Sequence, residues 1–131
     1  MTTGQGSGGP EDLAVQFAEC VAARDVVGIV RLYAADAVVS LRDGREAVGS
    51  TAIGAAFAAA LERGFDLAVE PVGAPIVRSG VACTSSRTTD GRVCTQVARR
   101  EPDGTWRWLR DGFRLRALRL EEVMPMDRDV A

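Results

Sequence analysis

The sequence predicts an α+β domain in which three N-terminal helices pack on an antiparallel sheet that curls round a pocket. Two patterns carry this. Apolar residues recur at helical spacing up to about Arg63, and beyond Gly64 the chain reads as a series of short strands divided by Gly, Pro and Asp turns. Helices followed by a strand meander give the α+β layout. The 131 residues amount to one domain, and a hydrophobic share of 47% is enough to bury a core without a metal or disulfide framework.

Each element has a local reason. Residues 1–10 are Gly- and Ser-rich and read as a flexible tail before a single domain over 11–120. Pro10-Glu11-Asp12 opens the first helix, with acids where the helix dipole favours them, and Leu13, Phe17 and Val21 form its apolar stripe. Asp25 caps a second helix over Val26 to Ala34, which carries Ile29, Leu32 and Tyr33 on one side. Val38 to Leu41 is a short strand stopped at Asp43-Gly44, and Glu46 to Gly49 pairs back on it. Ser50-Thr51 caps the third helix, Ala52 to Arg63, with Phe57 and Leu61 four apart. The strands that follow are Phe65 to Glu70, Ala74 to Arg78, Val81 to Thr88, Arg92 to Glu101 and Thr105 to Leu115. After Arg116 the period is lost, and 121–131 reads as a C-terminal tail.

Composition excludes several chemistries. There is no His, and all 16 basic residues are Arg. Ser-His-Asp and Cys-His nucleophile systems, His-rich zinc sites, Schiff-base lysines and phosphate-loop lysines are therefore absent. Acid–base work falls to Asp, Glu, Tyr or Cys. The net charge of -2 and the scatter of Arg along the chain do not make a basic nucleic-acid face. No stretch approaches the roughly 18 uninterrupted apolar residues of a membrane span. Three Cys without an apolar leader point to a cytoplasmic protein with reduced thiols, no metal and no cofactor.

Alternation then assigns faces. With Asp90-Gly91 as a two-residue hairpin turn, Thr89 faces Arg92 and Arg87 faces Cys94. Cys83, Ser85, Arg87, Cys94, Gln96 and Ala98 then share one side. Neither side of this hairpin is cleanly apolar. In the last strand Trp106, Trp108 and Arg110 point one way, and Leu109, Asp111 and Phe113 the other.

Three runs resemble the nuclear transport factor 2-like superfamily, which includes ketosteroid isomerase and the SnoaL-like polyketide cyclases. They are Arg24 to Val38, Gly49 to Ile53, and Arg99 to Trp108 followed by Asp111. The resemblance covers about residues 12 to 115 and implies a cone-shaped fold with a pocket inside. It implies that Phe17, Tyr33, Leu41, Phe57, Cys83, Ser85, Cys94, Leu109 and Phe113 line that pocket. Trp106 and Trp108 would sit on the convex side, where many members dimerise. The isomerase's general-base Asp falls on Leu41, its oxyanion Tyr on Phe17 and its protonated Asp on Gln96, so that mechanism is not carried over. The late-strand acid–base Asp of the cyclases falls on Asp111, and Arg87 with Asp111 imitates part of the epoxide hydrolases' Asp-Arg-Asp set. The expected catalytic group is Asp111 assisted by Gln96 and Arg87, acting on a small hydrophobic molecule. An apolar setting would raise the Asp111 pKa into a useful range, whereas an ion pair with an inward Arg would hold it ionised. Two readings stay open: a cofactor-free cyclase, isomerase, dehydratase or hydrolase, and a non-catalytic dimeric binding module.

Overall fold

The computed structural model describes residues 8–115, 118 and 120–123. Helices α1 (Asp12–Ala22) and α2 (Val26–Arg31) lead into strands β1 (Tyr33–Ser40) and β2 (Glu46–Val48). Helix α3 (Gly49–Glu62) precedes β3 (Val69–Arg78), β4 (Val81–Thr88), β5 (Val93–Arg100), β6 (Trp106–Gly112) and a short α4 (Leu120–Val123). The strands form one curved, unclosed sheet in the order β2-β1-β6-β5-β4-β3. Expected features at 1–7 and 124–131 lie outside the described residues. Helix α4 occupies the start of the segment read as a C-terminal tail, where Glu122 accepts two hydrogen bonds of 2.9 Å from the buried Arg110.

Local chemistry explains the helical half. The Asp25 side chain accepts from the Gly28 N–H at 2.9 Å, which starts α2 one residue after α1 has been broken by Arg24 in the left-handed region at φ 56°. Helix α1 buries Leu13 and Phe17, and α3 buries Ile53 and Leu61. These meet the fully buried Ile29, Tyr33 and Leu109 in one core. Helix α3 begins at Gly49 with no side-chain cap, so the expected Ser50-Thr51 cap is not used.

Four readings are corrected. Tyr33 is a strand residue, not a helical one, because the Leu32 carbonyl accepts from Trp108 N–H at 2.8 Å and so joins the sheet instead of continuing α2. The sheet is mixed rather than antiparallel, since β1 runs parallel to β6. The β4–β5 turn holds three residues rather than two. Gly91 N–H donates to Thr88 O at 2.9 Å, Thr88 N–H donates to Arg92 O at 2.8 Å, and Gly91 takes φ 90°. That is the geometry of a three-residue loop closed by a left-handed Gly. The extra residue shifts the register by one, so Ser86 faces Cys94 and Thr84 faces Gln96. A one-residue shift turns every side chain of β4 to the opposite face. Cys83, Ser85 and Arg87 therefore lie on the outer face, and Ala82, Thr84, Ser86 and Thr88 on the inner one.

The fourth correction concerns β6. Its register against β5 passes from Ala98↔Trp108 to Val97↔Arg110, so Leu109 is one residue too many, a β-bulge. The bulge puts both Trp108 and Asp111, three apart in sequence, on the inner face. Trp108 is not a convex-face residue: it is 5% exposed and packs its ring 5.2 Å from Tyr33 and 5.8 Å from Phe17. Trp106, two residues before it on the same row, also packs against the core.

Gly112 closes this strand. Its φ of 135° disfavours a side chain, and a Cβ there would overlap the Ser40 carbonyl oxygen and lie 2.7 Å from Ser40 Cβ. Gly112→Ala is expected to cost about 3 kcal/mol or more by forcing β6 off β1. Urea unfolding checks this, and a loss below about 1 kcal/mol would show that the β1–β6 contact is loose.

Candidate functional site

The inner faces of β1, β3, β4, β5 and β6, with α1 and one side of α3, line an open cavity of about 770 Å³. That is ample for a drug-sized molecule. Phe17, Val39, Leu41, Phe57, Leu67 and Trp108 supply apolar wall. A polar stripe runs through it: Thr84, Ser86 and Thr88 from β4, and Gln96 from β5.

Asp111 sits where these meet. Tyr33 Oη donates to Asp111 Oδ2 at 2.6 Å, and Gln96 Nε2 donates to Oδ1 at 3.1 Å. The neighbouring Gly112 N–H also favours the anion. Gln96 is itself fixed, donating from Nε2 to Ser86 Oγ at 3.0 Å and accepting at Oε1 from Thr84 Oγ1 at 2.8 Å. Sheet register sets this chain: Thr84, Gln96 and Asp111 are direct cross-strand neighbours, and Asp111 pairs with Val39 on its other side.

The electrostatics follow from burial. Desolvation pushes the Asp111 carboxyl above its ordinary value, against the pull of three neutral groups that favour the anion. Tyr33, buried beside the same carboxyl, is pushed well above its usual range by desolvation and by the Asp111 charge. The Cys94 thiol is pushed up to about 11, chiefly by burial, and is a packing residue rather than a nucleophile.

The expected site residues divide clearly. Asp111, Gln96, Phe17, Leu41, Phe57, Cys94 and Phe113 all reach the cavity wall. Tyr33 is 2% exposed and stands behind the wall, reaching the site only through its hydroxyl on Asp111. Leu109, displaced by the bulge, is core and not wall. Arg87 and Cys83 are exposed on the outer face, so Arg87 cannot assist Asp111. Ser85 borders the cavity but belongs to that same outward row. The ion pair considered for Asp111 is replaced by neutral partners, since Arg110 bonds Glu122 and Arg107 donates to Arg31 O. Alternation missed Thr84, Ser86, Thr88 and Trp108. The signal present was the polarity of both faces of the β4–β5 hairpin.

Asp111 is expected to make stability fall with pH. Its folded-state pKa lies above the ordinary 3.8, so the neutral form favours folding. That advantage is complete below 3.8 and is lost as pH rises through the folded pKa. Measured against Asp111→Asn in urea, the wild type should lose stability from about pH 4 upward and then level off. At neutral pH the variant should match or exceed it. A wild-type advantage that grows with pH would mean Asp111 is held as a structural anion.

No family model matches the chain, and no curated protein does. Solved structures do. A cystatin-like-fold protein of unknown function from Nostoc punctiforme aligns with a TM-score of 0.66 at 15% identity, over 81% of this chain and 87% of that one. A ketosteroid isomerase-like protein from Erwinia carotovora aligns with a TM-score of 0.65 at 18% identity, over 82% and 94%. A SnoaL-like protein of unknown function from Burkholderia thailandensis gives 0.60 at 19% identity, over 82% and 93%. The chain has the nuclear transport factor 2-like, cystatin-like fold that these proteins share.

Proposed function

We propose that the cavity takes up a small, largely apolar molecule and that Asp111 exchanges a proton with it, without a cofactor. The reaction would be of the isomerase, cyclase, dehydratase or hydrolase type. One observation carries this reading: a carboxyl with a raised pKa stands in an apolar cavity among neutral donors. A carboxyl whose pKa is raised is a better proton acceptor than an ordinary carboxylate. Tyr33 and Gln96 would position it. Tyr33 and Gln96 fill one acceptor position on each carboxylate oxygen, two of about four, which leaves room for a substrate proton.

The test is solvent-proton exchange. In deuterium oxide, a panel of apolar enolisable ketones should exchange α-protons faster with wild type than with Asp111→Asn, by about 100-fold or more for the ketone that fits best. Equal rates would defeat the acid–base role. The engagement of both carboxylate oxygens supports a second reading, a binding module without turnover, which saturable ketone binding with no exchange would select.

The assembly we propose is a homodimer through the outer face of β3, β4 and β5, rather than through Trp106 and Trp108. Ile76, Cys83 and Val97 are in register across that face, and Ile76 is 72% exposed and Val93 52%. Exposed apolar sheet of this kind marks an interface. Glu70 and Arg87 lie opposite each other on the same face, which suits a two-fold copy. Light scattering should give twice the chain mass for the wild type and a single chain for Ile76→Glu/Val93→Glu. A monomeric wild type would remove the proposal.

A further inference from the structure

Two arginines stacked on one aromatic ring stand at the mouth of the apolar cavity. Arg42 follows β1, Phe113 follows β6, and Arg92 precedes β5, so the three gather at one end of the sheet. Both guanidinium groups lie over the Phe113 ring, Arg92 with Cζ 4.1 Å and Arg42 5.3 Å from its centroid. Phe113 and Arg42 border the cavity. Stacking on an aromatic ring fixes a guanidinium while leaving its N–H edge available.

The nearby carboxylates offset Arg42 in part and leave Arg92 without an ion pair among the described residues. Asp43 is held by Arg45 at 2.7 Å, and Asp66, which accepts from Ala68 N–H at 2.9 Å, also stands in the field of Arg42. Asp90 is bonded by Thr88 and reaches Arg42 by one contact of 3.5 Å between half-exposed side chains, a pair of little strength. Among the described residues no carboxylate lies within 4.0 Å of Arg92. The field of both cations reaches inward, since each favours the anionic form of Cys94 on the cavity wall.

We propose that the ligand is an amphipathic organic anion, with its apolar body in the cavity and a carboxylate- or sulfonate-type head held at the mouth by Arg42 and Arg92. Asp111 is two residues from Phe113 along β6, and Arg92 is four from Gln96 along β5. The head therefore stands roughly 7–13 Å from the position that Asp111 addresses, at about 3.3 Å per strand residue. The inference rests on the cavity being a binding site, and it adds the class of molecule bound.

Two fluorescent probes of one size test it: 8-anilinonaphthalene-1-sulfonate, which carries the anionic head, and neutral N-phenyl-1-naphthylamine. Titrations use wild type, Arg42→Gln/Arg92→Gln, and Ala56→Trp, which fills the cavity beside Phe57. Circular dichroism confirms that each variant is folded. The sulfonate should bind wild type about tenfold or more tighter than it binds the double variant, the scale of one charge-assisted contact. The neutral probe should bind both alike, and Ala56→Trp should bind neither. Equal sulfonate affinity for wild type and the double variant, with the neutral probe bound, would overturn the anionic head and leave the cavity reading standing. If neither probe binds folded wild type, or if Ala56→Trp binds both, the cavity reading falls and this inference falls with it.

Discussion

The constraint on which the site depends is the extra residue at Leu109. A regular strand alternates faces every residue, so Trp108 and Asp111 would point to opposite sides. The bulge lets one strand give the cavity both its largest aromatic wall and its carboxyl. With Asp111 inward, the adjacent Arg110 faces outward, where Glu122 of α4 meets it at 2.9 Å. Without the bulge, and with Trp108 still inward, Arg110 would take the cavity side and Asp111 the outer one. The register that builds the cavity floor thus puts the acid, and not the adjacent cation, inside.

That placement decides the chemistry available. Ion pairing favours a carboxylate anion, and desolvation disfavours it. At Asp111 desolvation is the largest influence, and the opposing partners are a phenol, an amide and a backbone N–H, all neutral. Gln96 cannot release its bond to Asp111 cheaply, because Ser86 and Thr84 hold it from both ends and an unmet buried amide is costly. The chain from β4 through β5 to β6 therefore keeps the carboxyl in one orientation. Preorganisation of this kind suits proton transfer, since no group has to move when charge develops.

Much of this was legible in the residues. The helices, the strand meander, the Asp25 cap and the pocket end of Asp111 follow from period, capping and resemblance. What escaped was the count of residues at two places. Asp90-Gly91 has the chemistry of a two-residue turn, yet Thr88 closes the loop one residue earlier, bonded through both its N–H and its hydroxyl to Arg92. Leu109 is as apolar as any core strand residue, and nothing in its side chain marks a bulge. Each miscount transfers a whole row of side chains across the sheet, so plain alternation places Arg87 and Cys83 inward and Trp108 outward. Helical period alone puts Tyr33 in α2, whereas its place in β1 is set by a partner 75 residues later, Trp108.

The mixed polarity of β4 then has a physical explanation. Inner-face Thr84, Ser86 and Thr88 would be costly in a dry core, where every hydroxyl needs a partner. Here Thr84 and Ser86 bond Gln96, and Thr88 bonds Asp90 and the turn. The inner face can be polar because half of what it looks at is cavity rather than packed side chain. The outer face of the same strand is exposed at Cys83 and Arg87, so it escapes the burial that would have demanded Val or Ile. A strand with no clean apolar side is one that meets a cavity on one face and solvent or a second copy on the other, and both halves of the functional reading follow from that placement.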